Sequence, residues 1–195
     1  MNLSKKVNSK GLQCALGAKT PTCLQLSASE HEETHHWNRG EDSVVPVDSR
    51  GFKQYDTLDA LYMDRMMSVV RSWMQDPRRF METRGLSVEH SESCVFSLIV
   101  EGFLIFNYGA LNVLFDKRYF LQIPYETCKM RRSLRVYTPP DPEGYFDGYV
   151  WPMYLKNRKD MDSTVEDLVF LDGTQKKEDL LAPVFKDIQQ MFKIV

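Results

Sequence analysis

Apolar residues along this chain recur with spacings that predict both helices and strands. Between residues 57 and 75 they follow helical spacing, and Pro77 ends that pattern, which predicts an amphipathic helix. Residues 95–100 form a run that is apolar except for Ser97, rather than an alternating one, as in a strand that is buried on both faces of a parallel sheet. The pattern also predicts strands at 119–123 and 168–171 and helices at 125–137, 149–161 and 177–192. Because strands alternate with helices, we expect a three-layer α/β domain.

The first forty residues differ in composition from the rest of the chain. Residues 1–36 contain no aromatic residue, and residues 1–29 contain four lysines and no acidic residue. Such a segment has little side-chain surface to bury and is expected to pack loosely. Arginine, which is abundant in mitochondrial targeting peptides, first occurs at Arg39, so targeting is not favoured. We therefore predict an atypical, flexible segment at 1–40 and a globular domain at 41–195.

The composition excludes several classes of protein. Apolar residues make up 43% and aromatic residues 12% of the 195 positions, enough for a sizeable core and too many for a disordered chain. The 25 Lys and Arg residues nearly balance the 27 Asp and Glu residues, which argues against nucleic acid or an anionic membrane as a partner. Four cysteines without a C-x-x-C pair favour a reducing compartment, and no apolar run is long enough to span a membrane. We expect a cytoplasmic protein.

Two short motifs look like functional signatures but lack what the chemistry requires. Residues 31–35 read His-Glu-Glu-Thr-His, as in zinc proteases, yet no apolar helix face and no third ligand accompany them. Residues 17–20 read Gly-Ala-Lys-Thr, whereas a phosphate-binding loop needs G-x-x-x-x-G-K-S/T. Ala18 separates the glycine from the lysine, and Leu12 stands where the first glycine should be. We interpret the first motif as a solvated linker and the second as a basic leader.

Two acidic positions are candidates for binding chemistry. Glu101 directly follows the predicted strand at 95–100, and ligands of α/β sheets bind at the carboxyl ends of parallel strands. Its carboxylate could orient magnesium or its waters, or it could simply be satisfied by nearby backbone N–H groups. Asp56, which follows Tyr55, could be the N-cap of the first helix. Alternatively, the aromatic residue could stack on a base while the carboxylate holds ribose hydroxyls.

Three arginines of the predicted helix at 125–137 are candidates for binding phosphate. Arg131, Arg132 and Arg135 have the spacing that places side chains on one helix face. Converging guanidinium groups suit a polyphosphate, because each can bind its oxygens with two parallel hydrogen bonds. An ordinary solvated basic face is the alternative.

Several sequence blocks, taken in order, resemble the nicotinamide riboside kinases. The resemblance runs from near Glu41 to the C-terminus, about four-fifths of the chain. Its blocks are GFKQYD (51–56), EGF (101–103), NY (107–108), YFLQIPYE (119–126), RRSLRVY (131–137), GYFDGYVWPMY (144–154) and LDGT (171–174). The resemblance implies a P-loop kinase-like α/β domain with a parallel sheet. It also implies transfer of phosphate from Mg-ATP to the 5′-hydroxyl of nicotinamide riboside, which gives nicotinamide mononucleotide in NAD biosynthesis.

The resemblance further implies roles for individual residues. Tyr55 would stack on the nicotinamide ring, Asp56 would hold the ribose hydroxyls, and Arg132 would reach the substrate. Two residues after the arginines would also lie near the substrate: Tyr137 and Thr138. The ATP site would be formed by residues of the basic helix and of the C-terminal region: Arg131, Arg135, Gln175, Lys176 and Lys177. Glu101 would act on Mg²⁺ through water. These roles suit phosphoryl transfer, which depends mainly on positioning and charge neutralisation.

The N-terminal segment departs from the family pattern. The family begins with a strand, a G-x-x-x-x-G-K-S/T loop, a helix and a second strand, followed by an Asp-Asp-Phe-Phe segment that contains the catalytic base. Residues 1–40 contain none of these motifs. An alternative first exon or an incomplete gene model would produce such a truncated isoform. We expect residues 1–40 to replace the catalytic segment rather than to extend it.

This replacement affects both the chemistry and the fold. Loss of one charge-stabilising group can slow phosphoryl transfer by ~10²–10³-fold or more, so little turnover is expected. The family places its first strand between those at 95–100 and 119–123. Without that strand, either these two strands pair directly or residues 12–16 fill the gap, and we expect marginal stability of the fold. A non-catalytic isoform that binds a ligand or a partner protein is the alternative function. A uridine-type nucleoside kinase fits the blocks at 51–56 and 131–137 less well.

Overall fold

The computed structural model describes residues 13–19, 22–27, 45–86, 96–138 and 140–192, which form a five-stranded sheet with surrounding helices. The strands are β1 (Gln13–Lys19), β2 (Thr22–Ser27), β3 (Phe96–Gly102), β4 (Lys117–Gln122) and β5 (Leu168–Asp172). The helices are α1 (Met63–Gln75), α2 (Pro77–Glu82), α3 (Gly109–Asn112), α4 (Tyr125–Ser133), α5 (Trp151–Thr164) and α6 (Lys177–Phe192). Short 3-10 turns occupy Leu58–Ala60 and Ile105–Asn107. A single turn of π-helix, which we call the π-turn, occupies Phe146–Val150. The predicted α/β class is confirmed.

The strand order of the sheet is β2-β3-β1-β4-β5. β2 pairs with β3 and β4 pairs with β5 in parallel, whereas β1 is antiparallel to both of its neighbours. β2 to β5 therefore share one direction, as predicted for a parallel sheet, and β1 runs against them. Of the two expected arrangements at the centre of the sheet, the one in which residues near 12–16 fill the gap between β3 and β4 is confirmed. The reversed direction of β1 was not predicted.

Most predicted elements are found, with shifts at their ends. The strands predicted at 95–100, 119–123 and 168–171 correspond to β3, β4 and β5, and the helix predicted at 177–192 corresponds to α6. The helix predicted at 149–161 is α5, which follows the π-turn directly. The helix predicted at 57–75 begins only at Met63, because Leu61 and Tyr62 leave the helical conformation after the turn at Leu58–Ala60.

The helix predicted at 125–137 is shorter than expected, since α4 ends at Ser133. The next apolar side chains, Leu134 and Val136, are 77% and 95% exposed. A longer helix would bury no apolar face here, and tertiary packing supplies most of the stability of a protein helix. Arg135 therefore lies beyond the helix, and the prediction that it shares a helix face with Arg131 and Arg132 is wrong.

The main hydrophobic core lies between α1 and the sheet. Met66, Val70 and Trp73 of α1 are buried in one cluster with Leu98 and Val100 of β3. The cluster continues through the loops that follow β3 and into β4 and α5, with further buried members Leu104, Ile105, Phe106, Leu111, Phe115, Phe120 and Met161. Among the described residues, no helix has the length and apolar character needed to cross a membrane.

The carboxyl ends of β2 to β5 meet at one edge of the sheet, which we call the carboxyl edge. β3 ends there with Glu101 and Gly102, β4 leads through Pro124 into α4, and β5 leads into the turn before α6. Ligands of open α/β sheets bind in the crevice at this edge. The fold therefore brings together α4 and the loops that contain most of the candidate site residues.

Candidate functional site

At the carboxyl edge, α4 meets the turn that follows β5. Arg131 is half-buried, and both of its terminal nitrogens donate to the Gly173 carbonyl oxygen at 3.4 Å. The Asp172 carboxylate fixes this turn, because it accepts hydrogen bonds from the Thr174 backbone N–H at 2.9 Å and from the Thr174 hydroxyl at 2.7 Å. These bonds hold the pKa of Asp172 below its ordinary value. Arg131 is thus held beside the segment at 175–177 that is predicted to border adenine.

Arg132 is a buried cation of α4, with 9% of its surface exposed. Its Nε and Nη2 atoms lie 2.8 Å and 2.6 Å from Oδ2 of Asp141. Its guanidinium carbon lies 4.8 Å from the ring centroid of Tyr137 and 5.8 Å from that of Tyr145. Both ring faces attract a cation. The ion pair and the two rings therefore restrict the position of the Arg132 head group.

Asp56 is a buried acid, 6% exposed, whose peptide groups are bonded by side chains from a distant segment. Its backbone N–H donates to the Tyr149 hydroxyl oxygen at 3.0 Å, and its carbonyl oxygen accepts from Asn157 Nδ2 at 2.9 Å. The backbone carbonyl of Asn157 in turn accepts from Asn107 Nδ2 at 2.8 Å. The residue before α1 is Tyr62, so the alternative in which Asp56 caps the first helix is wrong.

A pair of stacked tyrosines lies beside Asp56. The rings of Tyr145 and Tyr149 are 5.3 Å apart at 25°, and the Tyr145 hydroxyl donates to the Lys53 carbonyl oxygen at 2.7 Å. Burial raises the pKa of Tyr149 to about 12. Burial, followed by the negative charge of Asp56, also raises the pKa of Tyr145, while the charge of Arg132 opposes this shift. Both phenols are therefore neutral near pH 7, and Tyr145 experiences the charges of both Asp56 and Arg132.

The remaining predicted site residues differ in exposure. Tyr55 and Tyr137 are half-buried, and Thr138 is exposed. Glu101 is half-buried near the end of β3, at the carboxyl edge. Three residues at the start of α6 and just before it are exposed: Gln175, Lys176 and Lys177. The structure thus brings Asp56, Arg132 and Tyr137 into one neighbourhood and groups Arg131 with residues 175–177.

Four residues of this neighbourhood were not identified from the sequence: Asp141, Tyr145, Tyr149 and Asn157. Two of them, Tyr145 and Tyr149, lie in the block at 144–154, whose aromatic residues and two glycines were a usable signal. Asp141 and Asn157 lie outside every block. No local pattern links Asn157 to Asp56, because the two residues are 101 positions apart.

The lysine of the Gly-Ala-Lys-Thr motif lies at the opposite edge of the sheet. The antiparallel register places Lys19 opposite Phe96, the first residue of β3, and Cys14 opposite Glu101. Five residues of strand separate the backbone of Lys19 from the level of Glu101, a distance of about 17 Å. The interpretation of the motif as a basic leader is wrong, because residues 17–19 lie in strand β1; a paired strand is also not a phosphate-binding loop. The zinc-protease-like motif at 31–35 lies outside the described residues.

No protein-family model matches this chain, but several curated proteins do. Nicotinamide riboside kinase 1 of Rattus norvegicus is 51% identical over 189 residues, covering 97% of this chain and 90% of that protein. Nicotinamide riboside kinase 1 of Homo sapiens is 42% identical over 189 residues, covering 97% and 88%. The chain belongs to the nicotinamide riboside kinase family. Nicotinamide riboside kinase 2 of Homo sapiens is 46% identical over 145 residues, covering 74% of this chain and 63% of that protein.

Membership in the nicotinamide riboside kinase family confirms the resemblance drawn from the sequence blocks. The motif blocks predicted that similarity begins near Glu41. An alignment that covers 97% of this chain extends into residues 1–40, whereas one that covers 74% leaves about a quarter of the chain unmatched. The match to the rat protein therefore begins well before Glu41, and the prediction that similarity begins near Glu41 is wrong for that relative.

Proposed function

We propose that this chain has nicotinamide riboside kinase-type function: it binds nicotinamide riboside, and the reaction of its family is phosphorylation of the 5′-hydroxyl with Mg-ATP to give nicotinamide mononucleotide. The observation that carries the proposal is that two buried charged residues, Asp56 at 6% and Arg132 at 9% exposure, both lie next to the stacked tyrosines Tyr145 and Tyr149. Both charges act on the same phenol, Tyr145. A few precisely placed polar groups among aromatic side chains are typical of a small-molecule site, and the names of the relatives indicate nicotinamide riboside as the ligand.

On the substrate side, the Asp56 carboxylate accepts hydrogen bonds from the ribose hydroxyls. A hydrogen bond to a charged group contributes about 1.5–3 kcal/mol. Tyr55 stacks on the nicotinamide ring, whose positive charge in the riboside is attracted by an aromatic face. Arg132 reaches the substrate, and Tyr137 and Thr138 lie near it. The ion pair between Arg132 and Asp141 supports this assignment, because it prevents the guanidinium from turning away.

On the nucleotide side, Arg131, Arg135 and residues 175–177 contact ATP, and Glu101 orients Mg²⁺ through water. The contact of Arg131 with Gly173 and the half-buried position of Glu101 at the carboxyl edge support these assignments. Lys19 does not fit the role of a phosphate-binding lysine at the carboxyl edge, because its backbone is opposite Phe96, the first residue of β3. The described residues thus suit the adenine side of ATP and the lid over it, but they do not form a loop around its phosphates.

The position of Lys19 favours a second candidate function, in which the chain binds nicotinamide riboside or a partner protein without transferring phosphate. A kinase of this family needs its loop lysine at the carboxyl edge, because that edge holds the other groups of the site. In this second candidate, the riboside pocket is retained and the phosphoryl transfer is lost. The two candidates share the substrate site and differ only in turnover.

We also propose that the family domain comprises residues 41–195, that residues 1–40 are an atypical segment, and that the protein acts in the cytoplasm. The cytoplasmic location is supported by the four cysteines, which include no C-x-x-C pair, and by Cys128, which is buried and not part of a disulfide. Cysteines that stay reduced are compatible with a reducing compartment. The small-molecule partners are nicotinamide riboside and ATP.

The proposed riboside site can be tested by calorimetric titration of the chain with nicotinamide riboside. Asp56→Asn is expected to weaken binding by about tenfold or more, because it removes the charge from the acceptor of the ribose hydroxyls. Asp59→Asn is the matched control, since Asp59 is an exposed acid three positions away. The affinity of this variant for nicotinamide riboside should stay within about twofold of that of the unchanged chain. Equal affinities of all three proteins, or an absence of saturable binding, would contradict the proposal.

A further inference from the structure

Both peptide groups of Asp56 are hydrogen-bonded to side chains that follow it by 93 and 101 residues. The Tyr149 hydroxyl accepts from the Asp56 N–H, and Asn157 Nδ2 donates to the Asp56 carbonyl. Backbone groups in loops usually bond to water or to neighbours in the chain, so two long-range side-chain bonds to the backbone of one residue are a specific feature. Together they fix the peptide planes on both sides of the Asp56 Cα, from which the carboxylate projects.

Tyr149 is itself held rigidly. It is 2% exposed, and its ring stacks on Tyr145, whose hydroxyl donates to the Lys53 carbonyl. Tyr149 lies in the π-turn Phe146–Val150, and π-turns are frequent at functional sites. Gly148 in this turn permits close approach to Phe52, because a Cβ atom there would lie 2.9 Å from Phe52 Cε2. The turn and Tyr145, which precedes it, thus contact the segment before Asp56 at Phe52 and Lys53, and the turn bonds the Asp56 N–H.

Asn157 is held from the other side, through its backbone rather than by dense packing around its side chain. Its carbonyl accepts from Asn107 Nδ2, and Asn107 ends the turn that follows β3. A cleft of about 240 Å³ opens next to Asn157, bordered by Thr57, Leu58, Asn107, Met153, Lys156 and Asp160. Because this side is open, the hydrogen bonds of Asn157, and not close packing, are what connect the end of β3 to Asp56.

We infer that Tyr149 and Asn157 are positioning residues of the riboside site: they orient Asp56 toward the ribose hydroxyls and so set the preference for a ribose over a deoxyribose. This inference rests on the proposed function, in which Asp56 binds those hydroxyls. Neither residue contacts the substrate in this account. Their effect reaches the ligand through the peptide of Asp56.

The test measures a preference rather than an affinity. The full chain is titrated with nicotinamide riboside and with its 2′,3′-dideoxy analogue, and the ratio of the two dissociation constants is the preference for ribose. For the unchanged chain the ratio should be about ten or more, since hydroxyls bonded to a carboxylate are lost in the analogue. Tyr149→Phe and Asn157→Ala should each reduce the ratio by about five- to tenfold, because a carboxylate that is free to shift bonds the hydroxyls less well.

Tyr154→Phe is the matched control, because Tyr154 is a nearby tyrosine of α5 that packs on Trp151, with 4.8 Å between ring centroids. Its ratio should equal that of the unchanged chain. A purely structural role of Tyr149 would lower the fraction of folded protein, seen by thermal unfolding, but would leave the ratio unchanged. If Tyr149→Phe does not fold, the half-buried Asn157 provides the same test through Asn157→Ala.

The outcomes separate this inference from the proposed function. A reduced ratio in Tyr149→Phe or Asn157→Ala, with an unchanged ratio in Tyr154→Phe, supports the inference. A large ratio in the unchanged chain that persists in both variants overturns the inference and leaves the proposed function standing. A ratio near one in the unchanged chain overturns the role of Asp56 toward ribose and, with it, the inference.

Discussion

The ion pair between Arg132 and Asp141 provides a quantitative test of how the pocket is held together. Replacing Asp141 with alanine removes the carboxylate oxygen that lies 2.8 Å from Nε and 2.6 Å from Nη2 of Arg132. The arginine cannot become neutral, because a guanidinium group stays charged in proteins. With 10% of its side chain exposed, it also cannot be solvated fully without moving away from Tyr137 and Tyr145.

The expected cost follows from the exposure of the two partners. Removing one member of a fully buried ion pair costs about 3–5 kcal/mol. The Asp141 side chain is 31% exposed, so solvent screens the pair, and the two tyrosine rings continue to attract the cation. We therefore expect Asp141→Ala to lower the free energy of unfolding by about 1–2 kcal/mol. For a domain of this size that corresponds to a decrease in Tm of about 2–8 °C.

The assay is thermal unfolding of the variant beside Asp162→Ala, a matched control. Asp162 pairs with Arg158 at 2.8 Å on one face of α5, with side-chain exposures of 42% and 21%. A pair of this kind, four residues apart on a helix surface, contributes about 0.3–0.5 kcal/mol. Its loss should lower Tm by less than about 2 °C. Equal changes in the two variants, or a larger change in Asp162→Ala, would refute the argument that burial makes the Arg132 pair important.

Two further variants test the packing of α6 and of the π-turn. The hydrogen bond from Lys117 holds the pKa of Asp187 below its ordinary value, so this bond stabilises the fold above the unfolded pKa of about 3.9 and is lost as pH falls through the lower folded pKa. Asp187→Asn should therefore reduce the urea midpoint at pH 7 and flatten its decrease between about pH 5 and pH 2; an unchanged pH dependence would contradict this. Gly148→Ala should lower Tm by several degrees, because the new Cβ would lie 2.9 Å from Phe52 Cε2 and overpacking costs about 1–3 kcal/mol. Gly109→Ala, where a Cβ meets nothing within 4 Å, is its control and should not lower Tm.

The hydrophobic pattern predicted the elements that carry a local apolar run or clear helical spacing. β3, β4, β5 and α6 were found within a few residues of their predicted ends, because these two patterns indicate strands and helices directly. The end of α4 was missed, since the exposure of Leu134 and Val136 depends on what surrounds them. The direction of β1 was missed for a related reason: an apolar strand can pair with either orientation, and only its neighbours decide which one forms.

The residues of the candidate site were likewise predicted only in part. Asp56 and Arg132 were identified because they lie in sequence blocks that resemble a known family. Their supports were missed, because Tyr149 and Asn157 contact Asp56 across about a hundred residues of chain, and no local pattern encodes such a contact. The family resemblance predicted which residues face the substrate, while the structure was needed to find the residues that hydrogen-bond to Asp56.

The central claim is that this chain keeps the riboside site of a nicotinamide riboside kinase while Lys19 lies at the wrong edge of the sheet for phosphoryl transfer. The most direct test is a coupled kinase assay with Mg-ATP and nicotinamide riboside. It compares the chain as it stands with a chimera in which the family's strand, phosphate-binding loop, helix and Asp-Asp-Phe-Phe segment replace residues 1–40. We predict turnover by the chimera and a rate at least ~100-fold lower for the chain itself. Comparable turnover by the chain itself, abolished by Lys19→Ala, would contradict the account.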